Sequence, residues 1–278
     1  MVEFERQRRR IIAIAGAGIA GLTAALTLAN AGFRVVVLEK HDALPTSGAG
    51  IQLSPNATRI LQDNELSRAL RAISTAPEAI EIYRGIDGKQ VSEFLLGAEM
   101  RDRYQAPYLT ISRGELTAAL EAACQSHGDI DIRYGYPVTD IAVHQNGVTL
   151  LAGKGHQAEE VQAIAAIGAD GVWSLLRNSV PTATSPTFSG HIAWRGIVPI
   201  ELVPAEFSRS ATGLWLGPKA HLVTYPLKGG TTMNVVAITP WMGEEAPPKG
   251  WIAEDAEDQG IEPFDTWQMP VRALVRQP

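Results

Sequence analysis

Two groups of residues have types and spacings that could do chemistry. The first is Gly16-Ala17-Gly18-Ile19-Ala20-Gly21, which fits G-x-G-x-x-G, with Glu39 further along. In such a run the first glycine makes a tight turn, the second lets backbone approach a pyrophosphate, and the third lets a helix pack on a sheet. An acid about 20 residues on accepts hydrogen bonds from ribose hydroxyls. The second group is His221 and Tyr225. On a strand these two positions share a face and lie roughly 13 Å apart, with Val223 between them. A histidine can take up a proton near neutral pH, and a tyrosine can orient a bound group by hydrogen bonding. From the strand alone, the pair reads equally well as a polar histidine on a half-exposed surface and a core tyrosine.

The glycine run needs a strand before it and a helix after it, and the pattern supplies both. Residues 10–15 read as a buried strand, 19–31 as a helix stopped by Gly32, and 33–38 as a second buried strand. The uncharged stretch 11–33 follows Arg6, Arg8, Arg9 and Arg10 and so imitates a signal peptide or a membrane span. Its four glycines and Asn30 argue against both, and a βαβ opening with no membrane partner is expected. Glu39 at the second strand's end disfavours a 2′-phosphorylated ribose, so FAD or NAD is preferred over NADP as the tightly held ligand.

Further along, Ser54-Pro55 opens a helix to about residue 63. Residues 79–84 and 90–96 read as strands, and Ser112 with Glu115 forms a capping box for a helix over 113–123. Asn146-Gly147 turns a hairpin between 139–144 and 148–152, and 163–167 forms an apolar strand. Strands are predicted at 190–200, 212–217, 220–227 and 231–239, and 244–265 reads as an acidic surface excursion. The chain opens as α/β and closes mostly as β.

Composition narrows the functions further. A chain of 278 residues, 45% hydrophobic, can bury a substantial core. Its net charge of −6 argues against nucleic acid as a partner. The single cysteine, Cys124, can form neither an internal disulfide nor a four-cysteine zinc site, which fits a reducing, cytoplasmic setting. The histidines lack H-x-x-x-H spacing and no metal site is expected; no G-x-S-x-G elbow occurs, and Gly147 to Lys154 misses the P-loop spacing.

Five segments together suggest a family. GAGIAGLTAALTLANAGFRVVVLEK, SGAGIQLSPNATRIL, GADGVWSLLR, AWRGIVP and GPKAHLVTYPLKGG resemble, in order, the single-component FAD-dependent aromatic hydroxylases, most closely the salicylate and 3-hydroxybenzoate group. The resemblance implies a Rossmann-like FAD-binding domain with an interleaved β-sheet substrate domain, divided at 1–76, 77–106, 107–183 and 184–278. It implies FAD as the held cofactor, NAD(P)H as a transient reductant, and oxygen and a small aromatic compound as substrates; it is compatible with a homodimer. For cofactor binding it points to Gly16, Gly18, Ile19, Ala20, Gly21, Glu39, Lys40, Gly50, Arg113, Val138, Asp170 and Gly171. Val138 would act through its backbone at the adenine, Arg113 at the flavin, and Asp170-Gly171 at the pyrophosphate. His221 would be the base and Tyr225 the orienting group beside the ring. Trp194 and Arg195 read as sheet packing and a surface or interface charge. Relatives continue into a further flavin segment built on Gly-Asp followed by Ala-His-Pro, which this sequence lacks, so the substrate domain is expected to be truncated. Glycine motifs alone also admit a flavin or NAD oxidoreductase that does not use oxygen, or a silent nucleotide-binding remnant.

Overall fold

The computed structural model describes residues 11–45, 48–154, 158–207, 210–243 and 261–277. The N-terminal arginine cluster and most of the acidic stretch at 244–265 lie outside the described residues.

The chain opens with β1 (Ile11–Ala15), α1 (Ile19–Asn30) and β2 (Arg34–Glu39), so the uncharged stretch is a strand, a turn and a helix. No described helix is long and apolar enough to cross a membrane. Then come β3 (Gly50–Leu53), α2 (Pro55–Asp63), α3 (Ser67–Ile73), β4 (Ser74–Thr75), β5 (Ala79–Arg84) and β6 (Gln90–Leu95). The middle holds α4 (Gly97–Tyr104), β7 (Leu109–Ser112), α5 (Arg113–Ser126), β8 (Ile130–Tyr134), β9 (Val138–His144), β10 (Gly147–Ala152), β11 (Glu159–Ala163) and β12 (Ala165–Gly168). The last part is β13 (His191–Pro199), β14 (Thr212–Gly217), β15 (Ala220–Leu227), β16 (Thr232–Pro240) and α6 (Met269–Val275). The expected single strand over 163–167 is two: Ile164 donates its N–H to Ile11 O, and the chain passes there from one sheet to another.

Two compact units result, each built from several stretches. The first comprises 1–46, 64–66 and 114–186; the second comprises 47–63, 67–113 and 187–278. In this grouping by contact, residues 47–63, 67–76 and 107–113 go with the later strands. The cause is local pairing: β3 and β4 both pair with β7, and Thr110 Oγ1 in β7 donates to Pro226 O in β15 (2.6 Å).

The first unit centres on a parallel sheet ordered β12-β1-β2-β8. Its middle strands are buried on both faces, so they are near-continuous apolar runs, IIAIA and RVVVLE. Helix α1 covers one face through Leu22, Ala25, Leu26 and Ala29. Leu150, Ala152, Val161 and Ala163 of the antiparallel sheet β11-β10-β9 join Ala13, Ala15, Val36 and Leu38 in a second apolar layer.

The second unit is organised by a six-stranded sheet, β13-β16-β15-β14-β5-β6, in which only β14 and β5 run parallel. Period-two alternation gives it two unlike faces. Trp215, Leu222, Val235 and Ala237 face a sealed core completed by Phe207, Phe264, Trp267 and Val271 and Leu274 of α6. Tyr83 stacks on Trp215 with centroids 4.3 Å apart. His221, Val223, Val236 and Ile238 face the opposite way and are only half-buried.

Leu222→Ala, at a fully buried position, should cost about 2–5 kcal/mol of stability, whereas Val143→Ala, at an exposed one, should change it by less than about 0.5 kcal/mol. Urea unfolding followed by tryptophan fluorescence measures both. Equal effects would show that the sealed face of the sheet is not the core.

Candidate functional site

The cofactor-class residues of the first unit converge at the carboxyl edge of its parallel sheet. β1 ends at Ala15, paired with Gly168 of β12, so the Gly16–Gly21 turn and the Asp170-Gly171 turn leave adjacent strands side by side. They approach so closely that a Cβ on Gly16 would strike Ala169 O, and one on Gly21 would strike Gly16 O. Gly16 also has φ +100, a conformation that L side chains rarely adopt. Gly18 differs: an added Cβ would meet nothing within 4 Å. It is the N-cap of α1, so the first N–H groups of that helix have no side-chain cap, at its positive dipole end. Ile19 and Ala20 supply those first amides, which is the arrangement that holds a phosphate.

Glu39 is buried at the end of β2. Its Oε2 accepts from Ala17 N–H (2.8 Å) and its Oε1 from His41 N–H (3.0 Å), tying the second strand to the glycine turn. Each carboxylate oxygen retains a further lone pair, so a sugar hydroxyl can still donate to it. Lys40 beside it is exposed. Val138 is half-buried at the start of β9, in the connection where Tyr136 N–H donates to Glu39 O (2.8 Å). Asp170 Oδ2 accepts from Leu175 and Leu176 N–H (2.8 and 3.2 Å), so its turn role is real. Its Oδ1 is buried with no partner among the described residues, an acceptor open to a ligand donor. A cradle open at Gly18, free helix amides, a ribose-height carboxylate and an orphaned aspartate oxygen fit an adenine dinucleotide.

The remaining residues gather on the second unit. Gly50 in β3 pairs with Ser112, and Arg113 N–H donates to Ala49 O (3.2 Å), which brings the exposed Arg113 beside the 48–50 segment. Gly50 N–H donates to Oδ1 of Asn234 in β16 (2.7 Å). A Cβ on Gly50 would lie 2.6 Å from Tyr225 Cε2 and 3.0 Å from Asn234 Cγ, so only glycine lets this loop cover the tyrosine ring. Asn234 is fully buried opposite Tyr225, and a hydrogen bond between the two side chains lowers the tyrosine pKa against burial. Motif reading missed Asn234; the available signal was a lone amide in the strand Met-Asn-Val-Val-Ala.

His221 and Tyr225 share the half-buried face, and their environments differ. Burial, assisted by the charge of His191, pulls the His221 pKa below its ordinary value. Burial pushes the Tyr225 hydroxyl up to about 12, against a downward pull from Arg195. Near neutral pH the imidazole is therefore an unprotonated acceptor and the phenol a protonated donor.

A parallel sheet with a glycine turn and a carboxylate at its carboxyl edge, interleaved with a large mixed sheet, defines a dinucleotide-binding α/β protein. The chain belongs to the FAD-binding domain family, whose model matches residues 10–263. It is 33% identical over 264 residues to 3-hydroxybenzoate 6-hydroxylase 1 of Aquipseudomonas alcaligenes, covering 95% of this chain and 66% of that protein. It is 35% identical over 275 residues to a 3-amino-4-hydroxybenzoate 2-monooxygenase of Streptomyces platensis, covering 99% and 67%. A salicylate hydroxylase solved with its substrate superposes with a TM-score of 0.75 at 22% identity, covering 98% of this chain and 66% of that one, a likeness of fold. The chain spans about two thirds of the length of the curated relatives it matches.

Gly16 and Gly18 should respond differently to alanine. Gly16→Ala should destabilise the chain by about 2–4 kcal/mol through its backbone strain and collision. Gly18→Ala should leave the melting temperature of the ligand-free chain unchanged yet weaken FAD binding by about tenfold or more. Thermal melts and FAD fluorescence titration separate the two; unchanged FAD affinity in Gly18→Ala would remove this turn from the cofactor site.

Proposed function

We propose that this chain carries the cofactor and substrate machinery of an FAD-dependent monooxygenase that hydroxylates a phenolic or related aromatic acid, using NAD(P)H and oxygen. The observation that carries the reading is the placement of His221 and Tyr225 on one face of the sheet, with the Gly50 segment closing over the tyrosine ring. The named activities of the two curated relatives support it. When bound, FAD would supply the redox chemistry: it takes electrons from NAD(P)H and activates oxygen for transfer to the ring.

The residues of this chain bind, orient and move a proton. Gly16, Gly18, Gly21 and the amides of Ile19 and Ala20 receive the pyrophosphate. Glu39 holds the adenosine ribose, Val138 meets the adenine through its backbone, and Lys40 lies beside the sugar. Asp170 and Gly171 keep their turn against the pyrophosphate, and Asp170 Oδ1 takes a ligand donor. Gly50 and Arg113 stand at the flavin. Nε2 or Nδ1 of His221 accepts the phenolic proton, which makes the ring a better nucleophile, and Tyr225 Oη donates a hydrogen bond to the substrate. The buried Cys124, whose thiol burial pushes up to about 12, stays an unreactive thiol in a reducing cytoplasm. The enzyme works there as a single chain or a homodimer.

His221→Ala should slow hydroxylation by about 10²–10⁴-fold while FAD affinity changes by less than about twofold. Equal loss of both would reject the proton-acceptor role. Because the His221 pKa is lowered, its acceptor form persists on acidification, so the rate should hold down to about pH 6.5 and fall only below that. That acid limb should vanish in His221→Ala; a limb that survives the substitution belongs to another group.

A further inference from the structure

The half-buried face of the six-stranded sheet carries a cation that the preceding reading does not use. Register places Arg195 of β13 opposite Val236 of β16, which is opposite Val223 of β15. Directly opposed strand residues share a face, so Arg195 lies on the side of His221 and Tyr225, level with the residue between them. Two strand spacings separate it from Val223, about 10 Å between Cα atoms, a span an arginine side chain can largely bridge. It is exposed at an edge strand and belongs to no ion pair among the described residues.

The rest of the face makes that cation conspicuous. The nearest strand neighbours of Arg195 on that face are Ala193, Ile197, Val236 and Ile238, which are apolar, and Asn234, with Val223 beyond Val236 and His191 further along its own strand. Arg84 of β5 shares the face, but Asp87 holds it in a two-pronged pair. The carboxylates of these strands, Glu81 and Glu93, are opposed to each other and in line with Gly213 and Thr224, on the other face. A molecule lying on this surface therefore meets apolar side chains, an acceptor at one end, a phenol at the other, and one unneutralised guanidinium beside the middle.

We propose that Arg195 is a specificity-determining residue: its guanidinium receives the carboxylate of an aromatic acid whose ring lies over Val223 and whose hydroxyl faces His221. This rests on the substrate reading above and assigns the residue that reads the acid's charge. A planar guanidinium pairs with a carboxylate through two parallel hydrogen bonds. The guanidinium charge also pulls the Tyr225 pKa down against burial. An uncharged phenol of the same shape keeps the ring and hydroxyl contacts and forfeits this one.

The test is calorimetric titration of the FAD-reconstituted full chain with 3-hydroxybenzoate and with its neutral counterpart 3-hydroxybenzamide. A charge-assisted pair corresponds to about 10–100-fold in affinity, so the wild type should prefer the acid by that factor. Arg195→Gln should bind both compounds with the amide's weaker affinity, and Arg195→Lys should recover part of the preference. Undiminished preference for the acid in Arg195→Gln overturns the assignment while leaving the substrate reading intact. Failure of the wild type to bind either compound overturns both. FAD affinity should be unchanged in either variant, which separates loss of the carboxylate contact from a general structural effect.

Discussion

Everything in the first unit depends on backbone meeting backbone where no side chain fits. β1 and β12 run parallel and side by side, and the turns that leave them pack so tightly that Gly16 lies on Ala169 and Gly21 on Gly16. The N-terminal amides of α1 that follow this contact have no side-chain cap, and the space beside Gly18 is open. Glu39 secures the arrangement by accepting N–H groups from Ala17 in the turn and from His41 just past its own strand. The chain's own backbone contacts fix the geometry that would receive a diphosphate.

The second unit meets a different constraint. A six-stranded sheet can bury one face in the chain's own core and leave the other for a ligand, and period-two alternation separates the two jobs along every strand. Leu222 and Trp215 seal one side; His221, Val223 and Arg195 are left on the other. Asn234 links this sheet to the short sheet β3-β7-β4. Its Oδ1 takes the Gly50 amide, and the missing Cβ of Gly50 lets that segment close over the Tyr225 ring. Asn234 thus pins the loop that carries Gly50 and adjoins Arg113.

Legibility followed the length of the signal. The βαβ opening, the 79–84 and 90–95 strands, the hairpin at Asn146-Gly147 and the four late strands all showed in the sequence, because each has a long apolar run or a turn with one physical solution. β3, β4 and β7 escaped notice since strands of two to four residues carry too little periodicity, and pairing across the chain decides them. Helix α4 was missed for the opposite reason: none of its residues is buried, so no apolar stripe announces it. The break at Ile164 is invisible in an apolar run that two sheets share.

By itself the sequence determined the chemistry on offer: glycines where backbone must approach closely, an acid at the ribose distance, a histidine and a tyrosine in phase on one strand, and membership of a flavin-binding family. Tertiary structure alone decided which groups meet. It buried Asn234 against Gly50, left Asp170 Oδ1 without a donor among the described residues, set Arg195 on the face of His221, and lowered one pKa while raising another. The physical reason is that local propensity and spacing are written in neighbouring residues, whereas desolvation, cross-strand register and the partner of a buried polar atom are set by segments far apart in the chain.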